Sequence, residues 1–256
     1  LSSAGGGDFY YEDTPSFRRY FGKFAEKYGF QGAFAGMGYP YKTRGEFWAY
    51  LATFLHTTQT VPIREPYLDL DAILQGKDFF ILTTNQDTQF VKIYPEEKVA
   101  QIQGDHRFFQ CSRQCCDRTW DAIKPVEKMI EAMGDDTSIP EELIPRCPVC
   151  GGPMTMNLRC DERFVQDEGW YAAAGRCEAF LRRLRGRRVL FLELGVGANT
   201  PAVIKFPFWR MTAANPDAVY ACVNLDFACC PAGIAARSLC IRADISAVLE
   251  ALEETA

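Results

Sequence analysis

Aromatic residues recur at helical spacing near the start of the chain, with Phe17, Tyr20, Phe21, Phe24 and Tyr28 on one face. Thr14 and Pro15 just ahead of them make a helix start: a capping hydroxyl, then a ring whose φ suits the first helical position. An apolar stretch predicts a second helix over residues 46–55, and a short third is expected over 69–74. These stripes read as core. At Phe79-Phe80-Ile81-Leu82-Thr83-Thr84 the pattern becomes that of a short buried strand, which empties into Asn85-Gln86-Asp87. An amphipathic helix over 170–184 precedes the clearest strand, 188–194, which runs straight into Gly195-Val196-Gly197-Ala198-Asn199-Thr200-Pro201. Strand-like runs at 218–225 and 238–242 lead to a closing helix over 245–252. Strands alternating with helices predict an α/β fold, a Rossmann-like, mostly parallel sheet with helices on both faces.

Residues 105–158 break that pattern with cysteines, prolines, Asp135-Asp136 and little strand character. They read as an inserted module. The expected organisation is therefore a Rossmann-like domain from 1–20, 75–104 and 159–256, a helical insertion over 21–74, and this module. Cys111-Ser112-Arg113-Gln114-Cys115 and Cys147-Pro148-Val149-Cys150 supply two short-spaced cysteine pairs. Four thiolates so spaced can close a tetrahedral zinc site, one that is structural because no coordination position is left for substrate. Cys116 competes with Cys115 as the second ligand, and four buried free cysteines are the plainer alternative.

The composition narrows the partners. Of 256 residues, 48% are hydrophobic and 24% charged, ordinary for a well-cored protein. A net charge of -5 recommends neither nucleic acid nor an anionic membrane. The basic run Arg182-Arg183-Leu184-Arg185-Gly186-Arg187-Arg188 reads as the solvated C-terminal end of a helix. No apolar run reaches the roughly 20 residues of a membrane span, and no signal peptide is visible. Paired cysteines suited to a metal point to a reducing compartment and a cytoplasmic protein. The chain opens Leu1-Ser2-Ser3-Ala4-Gly5-Gly6-Gly7-Asp8 with no initiator methionine and no strand before the glycines, so the natural N-terminus is expected upstream.

Two glycine-rich loops, at Gly5–Gly7 and Gly195–Gly197, combine with the polar strand end at Asn85–Asp87. Brought to one sheet edge, they would form a dinucleotide cleft, with backbone amides for the pyrophosphate and polar side chains for the riboses. The glycines could equally serve only their turns, and Asn85 and Asp87 only cap a strand end.

The order of these motifs resembles the sirtuin family over nearly the whole chain. Leu1-Ser2-Ser3-Ala4-Gly5-Gly6 with Asp8-Phe9 resembles the latter part of its first glycine loop, and Thr83-Thr84-Asn85-Gln86-Asp87 its segment beside the nicotinamide. The paired cysteines fall where its zinc module falls. Gly195 to Pro201 is similar to its second glycine segment, and Val223-Asn224 to its late strand at the adenosine ribose. The resemblance implies NAD as cofactor, with Ser2, Gly5, Asp8, Phe9, Thr84, Asn85, Asp87, Gln103, Gly195, Gly197, Asn199, Thr200, Asn224 and Ile245 lining its site. It implies zinc on Cys111, Cys115, Cys147 and Cys150.

One position departs from the family. Sirtuins carry a His-Gly pair shortly before the first zinc cysteine, the histidine being the general base of deacylation; here Gln103 precedes Gly104. Glutamine can donate and accept hydrogen bonds but cannot take up a proton near neutral pH. The pattern resembles the class M, macrodomain-linked sirtuins. That resemblance implies a protein mono-ADP-ribosyltransferase with Gln103, Asn85 and Asp87 catalytic. Its implied substrate is a lipoylated carrier related to the glycine-cleavage H protein, beside a macrodomain hydrolase. The alternatives are a deacylase using His106 as a displaced base, and a silent NAD- or ADP-ribose-binding module.

Overall fold

A computed structural model describes residues 8–197 and 201–254. The first helix, α1 (Pro15–Tyr28), starts as the sequence predicts: Thr14 Oγ1 accepts from the Phe17 amide at 3.1 Å, and Gly29 ends the helix at φ 75°. A short α2 (Ala33–Met37) follows. The next helix, α3 (Arg44–Thr60), is longer than the predicted 46–55, because Thr43 and Glu46 form a reciprocal capping box that fixes its start. Its middle is buried on every side, from Trp48 to Leu55, which hides the usual amphipathic signature. Helix α4 (Glu65–Leu74) begins four residues before the predicted start at 69, with Pro66 in its first turn.

Residues 105–158 are richer in strands than the sequence predicts. Strands β3 (Gly104–Cys111), β4 (Thr119–Asp121) and β5 (Met154–Leu158) form an antiparallel sheet in the order β4-β3-β5, flanked by α6 (Ile123–Met133). A register shift between Asp105 and Phe109 breaks the alternation on which strand recognition depends. Strand β3 also buries Gln110, whose amide oxygen accepts from Asn157 Nδ2 at 2.9 Å, so its polar residues are internal. The core of this module is continuous with the aromatic helices: Trp48 meets Phe109 edge-on at 5.5 Å, and Phe21, Phe54, Val126 and Met129 share one cluster.

The remaining elements are α/β. Strands β1 (Ile81–Thr83) and β2 (Val99–Gln101) pair in parallel, with α5 (Gln89–Ile93) between them in sequence. Strand β1 is shorter than the predicted 79–84, and β2 and α5 are too short to leave a period in the sequence. Helix α7 (Glu168–Arg183) is capped by Asp167 and packs against β2. Strands β6 (Val189–Leu194), β7 (Ala218–Val223) and β8 (Ser238–Ile241) form a parallel sheet in that order. Alternate residues face opposite ways: Phe191, Tyr220 and Cys222 pack on α8 (Lys205–Ala214), whereas Leu192, Val223 and Ile241 join α9 (Ile245–Glu253). The parallel strands thus have helices on both faces, as predicted. Ile81 and Val99 belong to the same cluster as Val223 and Leu249, so one core joins the two parallel sheets. Among the described residues, no helix is long and apolar enough to cross a membrane.

Candidate functional site

Strand β1 ends at Thr83, and its side chain holds the next turn by accepting from the Asn85 amide at 3.0 Å. The main chain then delivers Asn85 and Asp87 to one hydroxyl. Asn85 Nδ2 donates to Tyr67 Oη at 3.2 Å, and Tyr67 Oη donates to Asp87 Oδ2 at 2.6 Å. Burial, with the Asp87 charge beside it, pushes the Tyr67 phenol well above its ordinary pKa and keeps the proton on oxygen. Asp87 also faces Arg64, whose guanidinium is 3.8 Å from Oδ2, and its Oδ1 accepts from the Gln89 amide at 3.3 Å. The Arg64 guanidinium lies 5.7 Å over the Phe9 ring, which connects Phe9 to this network although the ring itself is buried in the aromatic core.

The residue after Asp87 is strained. Thr88 has φ 61°, a left-handed backbone that a β-branched residue adopts only when its surroundings impose it. Its hydroxyl donates to the Thr58 carbonyl on α3 at 2.7 Å, which fastens the turn. Beside it, Gln89 is wholly buried and its Nε2 has no partner among the described residues.

Gln103 stands one residue beyond the hydrogen-bonded turn at the end of β2. The Ile102 amide donates to the Thr83 carbonyl at 3.2 Å, and Gln86 Nε2 donates to the Gln103 carbonyl at 2.7 Å. The carboxyl ends of β1 and β2, and with them Asn85, Asp87 and half-buried Gln103, are therefore neighbours. Gly104 must be glycine: its φ is 111°, and an added Cβ would collide with the Asn157 carbonyl.

His106 occupies a different environment. It is fully enclosed, with Phe54 edge-on at 5.4 Å and Nδ1 3.2 Å from Thr58 Oγ1. Thr58 gives its own proton to the Leu55 carbonyl at 2.9 Å, so Nδ1 is the donor in this pair, and burial is what keeps the ring neutral near pH 7. Burial pushes its pKa down to about 4. This is a core histidine tied to α3.

The second glycine segment leaves β6 with Gly195 at φ 73°, its amide donating to the Val223 carbonyl at 3.0 Å. Asn224, at the end of β7, donates through Nδ2 to the Val196 carbonyl at 3.1 Å, and its Oδ1 accepts from the amides of Asp226 and Phe227. It stitches the glycine turn to the sheet. Gly195 and Gly197 are exposed, Ile245 is buried in the first turn of α9, and Thr84 is half-buried just past β1. Asp8 opens a single 3-10 turn, Asp8–Tyr10. Ser2, Gly5, Asn199 and Thr200 lie outside the described residues.

Beneath the glycine turn lies a group that the strand pattern gave no reason to single out. Lys205 Nζ sits 2.8 Å from Glu193 Oε1 with both side chains buried, Tyr220 Oη donates to Glu193 Oε2, and Cys222 Sγ is 3.4 Å from Oε1. Tyr67, Arg64 and Gln89 were equally hidden. Tyr67 lies in an apolar helical stretch like those that only build core, and nothing in sequence marks its hydroxyl as shared.

Cys111, Cys115, Cys147 and Cys150 converge, every Sγ within 4.8 Å of the others, with the 111–150 and 115–147 pairs 3.7 and 3.5 Å apart. Cys115 and not Cys116 completes this group among the described residues; Cys116 Sγ lies 3.8 Å to the side of Cys115 Sγ. The four thiols are placed to hold one metal ion.

No protein-family model matches the chain. A Staphylococcus aureus (strain Mu50 / ATCC 700699) protein named "Protein ADP-ribosyltransferase" is 36% identical over 236 residues, which is 91% of this chain and 75% of that protein. A Fusarium oxysporum f. sp. cubense protein named "Probable bifunctional ADP-ribose hydrolase/ADP-ribosyltransferase" is 28% identical over 223 residues, 81% of this chain but 36% of that protein. A solved Sir2 enzyme structure superposes with a TM-score of 0.48 at 16% identity, covering 79% of this chain and 73% of that one.

Proposed function

The chain belongs to the protein ADP-ribosyltransferases, and from that premise we propose a sirtuin-type enzyme that transfers ADP-ribose from NAD to another protein. The observation that carries this reading is the hydrogen-bonded set Asn85–Tyr67–Asp87 at the end of β1, next to Gln103 at the end of β2. Polar side chains just past the carboxyl ends of parallel strands are where α/β sheets bind nucleotides. The orphaned amide of Gln89 beside Asp87 suits a polar ligand there.

In the proposed reaction the bond between nicotinamide nitrogen and the ribose anomeric carbon breaks, and its electron pair leaves with nicotinamide. A lone pair of the acceptor side chain forms the new bond, and the acceptor proton passes to solvent. Asn85 would hold the nicotinamide amide, and the Asp87 carboxylate would stand by the developing positive charge. Gln103 would orient the acceptor or the ribose hydroxyls without removing a proton. The segments containing Ser2, Gly5, Asp8 and Phe9, and Gly195, Gly197, Asn199 and Thr200, would bind the phosphates, with Thr84, Asn224 and Ile245 completing the pocket.

Zinc is the metal we propose for the four thiols. Zn–S bonds near 2.3 Å at tetrahedral angles put sulfurs about 3.8 Å apart, close to the spacings of the two pairs. Its role is to staple the β4-β3-β5 sheet. We propose a cytoplasmic enzyme whose protein substrate is a lipoylated carrier related to the glycine-cleavage H protein, following the class M resemblance. The joining of hydrolase and transferase in the name of the Fusarium relative supports an ADP-ribose hydrolase as functional partner, and the class M resemblance makes it a macrodomain.

A deacylase using His106 is the weaker reading, since that ring is enclosed, neutral and hydrogen-bonded to Thr58. The test is incubation of the full chain with labelled NAD and lipoylated carrier. Label on the carrier, lost in Asn85→Ala, is the expected result. Nicotinamide release driven only by an acyl-lysine peptide would overturn it.

A further inference from the structure

The proton inventory around Tyr67 permits one arrangement. The Asp87 carboxylate has no proton to give, the Asn85 NH2 can only donate, and the phenol has a single hydrogen. That hydrogen goes to Asp87 Oδ2 at 2.6 Å, which leaves the phenol oxygen as an acceptor and draws the NH2 end of Asn85 to it at 3.2 Å. Asp87 therefore decides which way round the Asn85 amide sits, although the two side chains act through a third residue.

We propose that Tyr67 is a positioning residue that relays the orientation of Asp87 to Asn85, keeping the Asn85 carbonyl end turned towards the reacting nicotinamide. The inference rests on the sirtuin-type reading above and adds to it a residue of the helical segment 21–74, which otherwise supplies only packing. Tyr67 suits the role because it cannot move: the ring is wholly buried, meets Phe90 edge-on at 4.9 Å, and rides on α4, which packs along α9. Asp87 is equally fixed, through the Gln89 amide, the Arg64 guanidinium 3.8 Å away and the Thr88 turn that follows. Without the hydroxyl, the amide of Asn85 would be held only through its own main chain and could rotate by half a turn.

A merely structural tyrosine would contribute its ring, so Tyr67→Phe separates the two roles. The measurement is nicotinamide release from NAD with the lipoylated carrier or, in its absence, water as acceptor, together with the NAD dissociation constant, for the wild type, Tyr67→Phe, Asn85→Ala and the double variant. Tyr67→Phe is expected to lower kcat by about 10–100-fold with NAD affinity changed less than about 3-fold, the pattern of an interaction that acts in the transition state. In the Asn85→Ala background the same change should cost less than about 3-fold, because the group to be positioned is gone. Should Tyr67→Phe fail to fold, 3,5-difluorotyrosine at the position keeps the ring and weakens the oxygen as an acceptor. The same dependence on Asn85 is then expected. Wild-type kcat in the position-67 variants, or an equal loss with and without Asn85, overturns the relay and leaves the ADP-ribosyltransferase reading standing. A wild type that releases no nicotinamide, whether or not it binds NAD, overturns both.

Discussion

Gln86 Nε2 donates to the Gln103 carbonyl at 2.7 Å, so the turn after β1 and the turn after β2 are held to each other by a side chain. The bond uses the main chain of residue 103, and its side chain has no hydrogen-bond partner among the described residues. What residue 103 contributes to chemistry is thereby separable from what it contributes to structure. The catalytic role proposed for Gln103 rests on that side chain alone.

Gln103→Ala should therefore fold normally and still bind NAD, while ADP-ribosyl transfer to protein falls by about 10-fold or more through lost orientation. Gln103→His adds a group with an ordinary pKa of about 6.5 and should bring in a new acid limb in the pH–rate profile near that value. Since a positioned base is worth about 10²–10⁴ in rate, deacylation of an acyl-lysine peptide should rise measurably in this variant. Peptide mass spectrometry reads both activities. No gain would mean that the acceptor side of the site has diverged beyond one residue.

What was legible in the sequence follows from how each feature is encoded. The α/β elements showed because β6 and its glycine turn, and the α1 aromatic stripe with its Thr14 cap, are local signals. The small sheet of the cysteine module did not, because β3 carries a register shift and buries Asp105, His106 and Gln110 in one strand. Asn85 and Asp87 could be singled out by their place after a strand, whereas Tyr67 meets them only through the fold, 18 and 20 residues away in sequence. The Glu193–Lys205 pair was hidden likewise, a charge inside a strand and another at a helix start.

The four-thiol cluster predicts one bound metal per chain, measurable by elemental analysis. Cys115→Ser should abolish stoichiometric binding and Cys116→Ser should retain it, since only Cys115 belongs to the group within 4.8 Å. Chelation should lower Tm by roughly 10 °C, corresponding to about 3–5 kcal/mol, because the metal closes a module whose core is continuous with α1 and α3. Thermal scans with and without chelator check it.

Lys205 and Glu193 make a pair that cannot be broken singly. Lys205→Met strands a buried carboxylate and should cost about 3–5 kcal/mol, whereas adding Glu193→Gln should restore much of it. Burial works to lower the Lys205 pKa, but the hydrogen bond and charge of Glu193 outweigh it and the net shift is upward. A raised lysine pKa contributes stability that is complete below the unfolded value, near 10.4, and is lost as pH climbs through the folded value. Denaturation midpoints should thus fall above about pH 10.5 in the wild type and less steeply in the double variant.

His106 gives the opposite pH signature and bears on the chemistry as well. Its ring is neutral in the fold, with burial holding the pKa down to about 4, while in the unfolded chain it titrates at the ordinary value. Between roughly pH 6.5 and 4 the unfolded state binds a proton that the folded state refuses, so stability falls as pH falls across that window. The full shift corresponds to about 3 kcal/mol, an order-of-magnitude figure for a wholly buried group. In His106→Gln, where nothing titrates, that part of the acid loss should disappear, and urea midpoints at pH 7 and pH 5 should differ less than in the wild type. ADP-ribosyl transfer at pH 7.5 should persist in this variant once its folded fraction is matched to the wild type. If transfer is abolished in folded His106→Gln, the enclosed ring reaches the reaction after all, and the assignment of His106 to the core is wrong.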